Sequence, residues 1–128
     1  HSAFQRAIER HLETLMRSPG VALQEFAIQT EDGVKVPDVV WLTPEELATA
    51  RDVSITDKAP RICVEVKSKG NTAKEIGEKA QLYFAQGAKE VWVCDLDGNV
   101  SFLDAEDGPK HQSFFCPDFP TLIDPFKI

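Results

Sequence analysis

A chain of 128 residues holds one domain of ordinary size and leaves no room for two, so residues 1–128 are read as a single domain. Its 42% hydrophobic and 27% charged residues are those of a globular protein, which excludes disordered and low-complexity classes. The formal charge of −7 argues against a simple basic module for nucleic acid, because phosphate contacts come from Lys and Arg, but it leaves carboxylates in supply for a divalent-cation site. No apolar run approaches the roughly 18 residues of a membrane helix, and no signal peptide is visible, so no membrane association is expected. Cys63, Cys94 and Cys116 are odd in number, widely spaced and free of any CxxC pair. They read as reduced thiols, two of them inside apolar runs, and imply a cytoplasmic setting.

In chain order, with His1 and Ser2 set aside, Phe4, Ala7, Ile8, Leu12, Leu15 and Met16 recur at helical spacing. Gln5, Arg6, Glu9, Arg10 and Glu13 fill the opposite face, predicting an amphipathic helix stopped by Ser18-Pro19-Gly20. His11 falls within the apolar stripe and reads as a satisfied core histidine. Val21 to Thr30 predicts a strand, Glu31-Asp32-Gly33 a hairpin turn, and Val36 to Leu42 a second strand. Thr43 to Pro60 is polar and loop-like, with a short helix over Pro44 to Arg51.

Arg61 to Ser68 predicts a third strand. A helix follows from about Thr72, where Thr72 and Glu75 have capping-box spacing, with Ala73, Ile76, Ala80, Tyr83 and Phe84 inward and Gly87 as its C-terminal cap. Glu90 to Asp95 predicts a fourth strand, Asp97-Gly98-Asn99 a turn, and Val100 to Leu103 a short fifth. The Phe- and Pro-rich tail from Lys110 is expected to pack as a strand and an irregular cover. The fold class is α/β (α+β), a mixed sheet flanked by helices in the order αβββαβ(β).

Chemistry concentrates in two of these strands. Alternation puts Ile62, Val64 and Val66 on one face of the third strand and Cys63, Glu65 and Lys67 on the other. Glu65 and Lys67 then lie roughly 6.5 to 7 Å apart along the strand. Asp38 interrupts the second strand in the same way, between Val36, Val40 and Leu42. Charge in a sheet interior is costly unless paired or bound to a metal. An ion pair on an exposed sheet edge accounts for the spacing equally well.

Pro37-Asp38 followed by Glu65-Val66-Lys67 resembles the signature of the PD-(D/E)XK nuclease superfamily, whose core of helix, three strands, helix and strand is similar to the predicted order. The segments VPDVVWLTPEE, APRICVEVKSKGNTAKEIGEKAQLYFAQGAKEVWVCD and FFCPDFPTLIDPF resemble the Uma-two family of restriction endonucleases. Its typical features fall on Pro37-Asp38, Glu65-Val66-Lys67-Ser68, Lys79 and Tyr83, Gly87 and Trp92. The likeness runs from about Val34 onward and is weaker over the first helix. Lys67 departs from the family, which commonly lacks lysine there, and moves the chain toward the active superfamily pattern.

The resemblance implies a metal-dependent endonuclease acting on phosphodiester bonds, in DNA before RNA. Asp38 and Glu65 would hold Mg²⁺ or Mn²⁺ with the backbone carbonyl of Val66, and Lys67 would orient the attacking water and stabilise developing charge. Ser68, Lys69 and Lys74 would contact the nucleic-acid backbone, and Glu9, Lys79 and Tyr83 are auxiliary candidates. Solvated side chains account equally well for the lysines. A homodimer follows only by analogy with enzymes that cut both strands.

Two other readings compete. A nuclease fold with an unused site would serve as a binding or assembly module, which suits the acidic charge. Val91 to Gly98 ends in DxDG, which resembles the nucleophile motif of haloacid-dehalogenase-type phosphatases, with Asp95 attacking phosphate and Asp97 as acid and base. A tight Asp-Gly turn between two strands explains the same residues.

Overall fold

The computed structural model describes residues 2–127. The first helix, α1 (Ser2–Leu15), is followed by β1 (Val21–Gln24), β2 (Ile28–Thr30), β3 (Gly33–Lys35), β4 (Val39–Leu42) and α2 (Pro44–Ala50). The second half runs β5 (Ile62–Val66), α3 (Ala73–Ala85), β6 (Glu90–Cys94), β7 (Val100–Asp104) and β8 (Gly108–Lys110). Six strands form one sheet in the order β1-β4-β5-β6-β7-β8, and β2 and β3 pair as a separate hairpin. Every pair in the sheet is antiparallel except β5 with β6, which α3 connects as a crossover.

The strand alternation expected for β5 is what divides the core. Ile62, Val64 and Val66 face α1 and the C-terminal tail, packing with Ala7, Ile8, Leu12, Trp92, Phe102 and Phe119. Trp92 anchors this layer, its ring centroid 5.1 Å from Phe102 and 4.6 Å from Phe119. Cys63 faces the opposite layer, with Ile28, Val40, Leu42, Ala80, Tyr83 and Val91. The three cysteines are free and buried, as expected for small apolar side chains.

Both internal helices start on capping boxes. In α3, Thr72 Oγ1 accepts from Glu75 N at 3.1 Å while Thr72 N donates to Glu75 Oε1 at 3.0 Å, the pattern predicted from spacing. Thr43 and Glu46 repeat it at the start of α2, at 3.2 and 2.9 Å. Past α3, Gly87 adopts φ 104°, open to glycine at little cost, and ends the helix where expected.

The predicted Val21–Thr30 strand is two strands. Glu25 lies in the left-handed region at φ 54° and donates its N–H to Asp38 O at 3.2 Å, so the chain leaves the sheet after Gln24. No glycine or proline marks the break, which is why the pattern conceals it. The predicted Val36–Leu42 strand begins only at Val39. Pro37 has no N–H to give a ladder, and Val36 and Asp38 lie in irregular chain ahead of the strand. His11 is partly exposed rather than a core residue; its ring meets Phe119 edge-on at 5.8 Å, and burial lowers its pKa. The strand β8 ends at Lys110, so among the described residues the tail beyond it forms no strand of its own; it is an irregular cover over the α1 layer, tied to the sheet by the bridge between Asn99 and Leu122.

Candidate metal centre

The site forms at the carboxyl ends of the parallel strands β5 and β6, where open α/β sheets leave a crevice for ligands. Register brings two acids together there. β4 and β5 pair as Val39 with Val64 and Val40 with Cys63, so Asp38 and Glu65 are the next residues past the end of that register. The ladder turns irregular at that step. Asp38 N donates to Val64 O at 3.0 Å, and Asp38 Oδ2 accepts from Val66 N at 2.6 Å, so a carboxylate takes a main-chain donor that a strand carbonyl would otherwise fill.

Asp38 is held from other elements as well. Its carbonyl oxygen accepts from Glu25 N at the end of β1 and, at 3.1 Å, from Gln5 Nε2 on α1. Glu65 is 3% exposed and accepts two side-chain bonds from α3, Lys79 Nζ to Oε1 at 3.2 Å and Tyr83 Oη to Oε2 at 2.9 Å. Lys79 and Tyr83 are four residues apart, so one face of the helix carries both.

Burial pushes the Asp38 carboxyl above its usual value, opposed by the Val66 N–H and the Lys79 ammonium. Burial also raises Glu65; Lys79 and the Tyr83 hydroxyl work against this, while the negative charge of Asp38 adds to it. The Tyr83 phenol is pushed far up by burial and by Glu65, so it stays a proton donor.

Of the residues singled out from sequence, Asp38, Glu65, Lys79 and Tyr83 come together. Lys67 lies one residue beyond β5, and its main-chain N–H extends the β5–β6 pairing to Cys94 O at 2.8 Å. Among the described residues its ammonium group makes no hydrogen bond or ion pair with either acid; the cation on Glu65 is Lys79. The expected pocket of Asp38, Glu65 and Lys67 is in this respect different, because the strand stops before Lys67 and α3 supplies the closer amine. Ser68 donates from N and Oγ to Asn71 Oδ1, both at 2.9 Å, in the turn before α3. Lys69 is exposed, and Lys74 pairs with Glu78 at 3.8 Å on the outer face of α3. Glu9 accepts from Gln24 Nε2 at 3.2 Å.

Gln5, assigned to the polar face of α1 from sequence, is instead 4% exposed and turned to the site. Its spacing carried the signal, since positions 5, 8 and 12 share a helical stripe; the amide concealed it. The Asp95 carboxylate serves its own turn. Oδ1 accepts from Asp97 N and Asn99 N, both at 2.9 Å. Burial alone would raise this carboxyl, but the N–H groups of Asn99, Asp97 and Gly98 and the Asn99 side chain hold it below its usual value. Gly98, at φ 89°, leaves no room for a side chain, as a Cβ would stand 2.2 Å from Ile123 O. The DxDG run is thereby accounted for as the β6–β7 hairpin.

The donor set fits magnesium or manganese better than an all-protein cage. Among the described residues no group of three or more His, Cys, Asp and Glu is placed to hold a metal. Mg²⁺ binds through one or two carboxylates and fills its remaining positions with water and substrate phosphate, a requirement that Asp38 and Glu65 could meet. Glu65 keeps lone pairs beyond the two already engaged.

A six-stranded mixed sheet with helices on both faces is a nuclease-like α/β fold. The chain belongs to the Uma2 family, whose model, described as "Putative restriction endonuclease", matches residues 1–118. Among solved structures the chain is similar to one described as a "putative nuclease belonging to DUF820" from Anabaena variabilis ATCC 29413, with a TM-score of 0.73 and 16% identity over 86% of this chain. The chain spans 65% of that protein's length, and the likeness is one of fold. No curated protein matches the chain. Among the described residues no helix is long and apolar enough to cross a membrane.

Proposed function

We propose that the protein is a metal-dependent endonuclease that hydrolyses phosphodiester bonds in DNA. The observation that carries this reading is the Asp38 carboxylate held on Val66 N beside the buried Glu65, two carboxyls that burial raises above their usual values. Their crowded negative charge is what a divalent cation relieves. Asp38, Glu65 and the carbonyl of Val66 would hold Mg²⁺ or Mn²⁺, which when bound acidifies water and neutralises phosphate charge.

The side chains divide the remaining work. The Val66 N–H fixes one Asp38 oxygen and so sets the orientation of that carboxylate. Tyr83 holds Glu65 by one oxygen, so that its carboxylate is oriented before anything binds. Lys79 counters the charge of both acids and is the ammonium group nearest Glu65, suited to stabilising charge that develops on phosphate. Lys67 enters from the end of β5 as the second ammonium group, with Ser68, Lys69 and Lys74 beyond it along the backbone path of the substrate. A homodimer would supply the second site that cutting both strands requires.

The test is cleavage of single- and double-stranded DNA and RNA with Mg²⁺ or Mn²⁺, comparing wild type with Asp38→Ala, Lys67→Ala and Lys79→Ala. The expected result is nicking or cutting of DNA that disappears with Asp38→Ala and falls more with Lys79→Ala than with Lys67→Ala. Cleavage that survives Asp38→Ala would refute the assignment. A second reading, a binding module with an unused site, is favoured by the net charge of −7 and by the existing engagement of both Glu65 oxygens. It expects no metal-dependent cleavage and unchanged DNA binding in Asp38→Ala.

A further inference from the structure

We propose that Gln5 is a positioning residue for the cation site, acting on Asp38 through its backbone; this rests on the reading of Asp38 and Glu65 as cation ligands. The irregular chain that carries Asp38 lies outside the β4 ladder, so its peptide groups depend on partners from other elements. Asp38 N reaches Val64 O on β5, and Asp38 O collects Glu25 N from the end of β1 and Gln5 Nε2 from α1. The carboxylate takes Val66 N. Among the described residues Gln5 donates to the Asp38 peptide from a side chain, and it ties the α1 layer to the site.

Gln5 is an odd choice for packing alone. It lies on the buried stripe of α1 with Ala7, Ile8 and Leu12, and an interior amide gains little over an apolar side chain unless its hydrogen bond matters. Glu9, one turn further along, reaches Gln24 at the end of β1, the strand that pairs with β4 through Gln24 and Val39. Gln5 therefore marks the turn of α1 that faces the Asp38 carbonyl. Its amide constrains the peptide from which the Asp38 side chain departs, and so the direction in which that carboxylate points.

Outer partners of metal ligands are worth about 10- to 100-fold in affinity. The experiment is calorimetric titration of Mn²⁺ into wild type, Gln5→Met, Gln5→Asn and Asp38→Asn, with thermal unfolding of each without metal. Gln5→Met keeps length and removes the donor; Gln5→Asn keeps an amide but withdraws it by one methylene. Leu12→Val, on the same stripe, serves as a packing control. We expect both Gln5 variants to bind Mn²⁺ at least about tenfold more weakly, and Leu12→Val to lower Tm while binding as wild type does. Unchanged affinity in a folded Gln5→Met or Gln5→Asn overturns the proposal and leaves the site standing. Absence of binding by wild type, or wild-type binding that Asp38→Asn preserves, overturns the site and the proposal together.

Discussion

Two buried glutamates on neighbouring parallel strands have opposite surroundings. Glu65 is the next-to-last residue of β5, at 3% exposure, and Glu90 begins β6, at 2%. Glu90 is surrounded by neutral donors: Oε1 accepts from Trp92 Nε1 at 2.9 Å and Ser113 Oγ at 2.5 Å, and Oε2 from Phe114 N at 2.8 Å. Two of those donors belong to the C-terminal tail, so Glu90 fastens the cover to the sheet. Glu65 instead has the negative charge of Asp38 near it and carries a lysine. Burial alone is thus a poor marker of function; a like charge nearby, with a cation alongside, is the informative feature. Position agrees, since Glu65 lies at the carboxyl end of the parallel pair and Glu90 at the amino end.

Substitutions should separate the two. The largest effect is expected for Asp38→Ala, which should weaken Mn²⁺ binding by more than about 100-fold, beyond what outer partners contribute. Glu90→Gln should do the reverse. It turns an amide toward the Phe114 N–H and should cost about 2–3 kcal/mol, lowering Tm by about 10 °C with Mn²⁺ affinity intact. A weakened cation affinity in Glu90→Gln would erase the distinction. Tyr83→Phe lies between them, losing a hydrogen bond to a buried charge worth about 1.5 kcal/mol and moderately weakening the site, measured by unfolding with and without Mn²⁺.

The smallest effect is on pH dependence. Asp38 and Glu65 titrate above their usual values, so the folded protein holds these protons more tightly than the unfolded chain does. Their unfavourable contribution is complete above the raised pKa values and fades as pH falls toward the ordinary carboxylate range. Metal-free wild type should therefore gain stability relative to Glu65→Gln as pH is lowered from 7.5 toward 5, measured by paired thermal melts. A relative loss would mean that the site favours charged carboxylates without any metal.

Much of this was legible in the chain because the informative residues obey simple periodicities. The alternation Ile62–Val66 placed Glu65 on the α3 side, and Thr72 with Glu75 fixed the start of the helix that delivers Tyr83. What escaped depends on contacts between distant segments. Glu25 breaks its strand with no local punctuator, because its N–H is taken by Asp38 thirteen residues later. Lys67 continues the strand alternation on paper, but the strand ends at Val66, and the amine that meets Glu65 comes from a helix fourteen residues away. Gln5 and Glu90 were hidden by their polarity, since only tertiary partners reveal why an amide or a carboxylate can be buried at such positions.

The most direct test is a crystal structure of the protein grown with Mn²⁺ and measured for anomalous scattering. One or two peaks are expected at the carboxyl end of β5, with carboxylate oxygens of both Asp38 and Glu65 within about 2.5 Å of the ion. A fully occupied Mn²⁺ elsewhere, or none at saturating concentration while Lys79 still pairs with Glu65, would contradict the account.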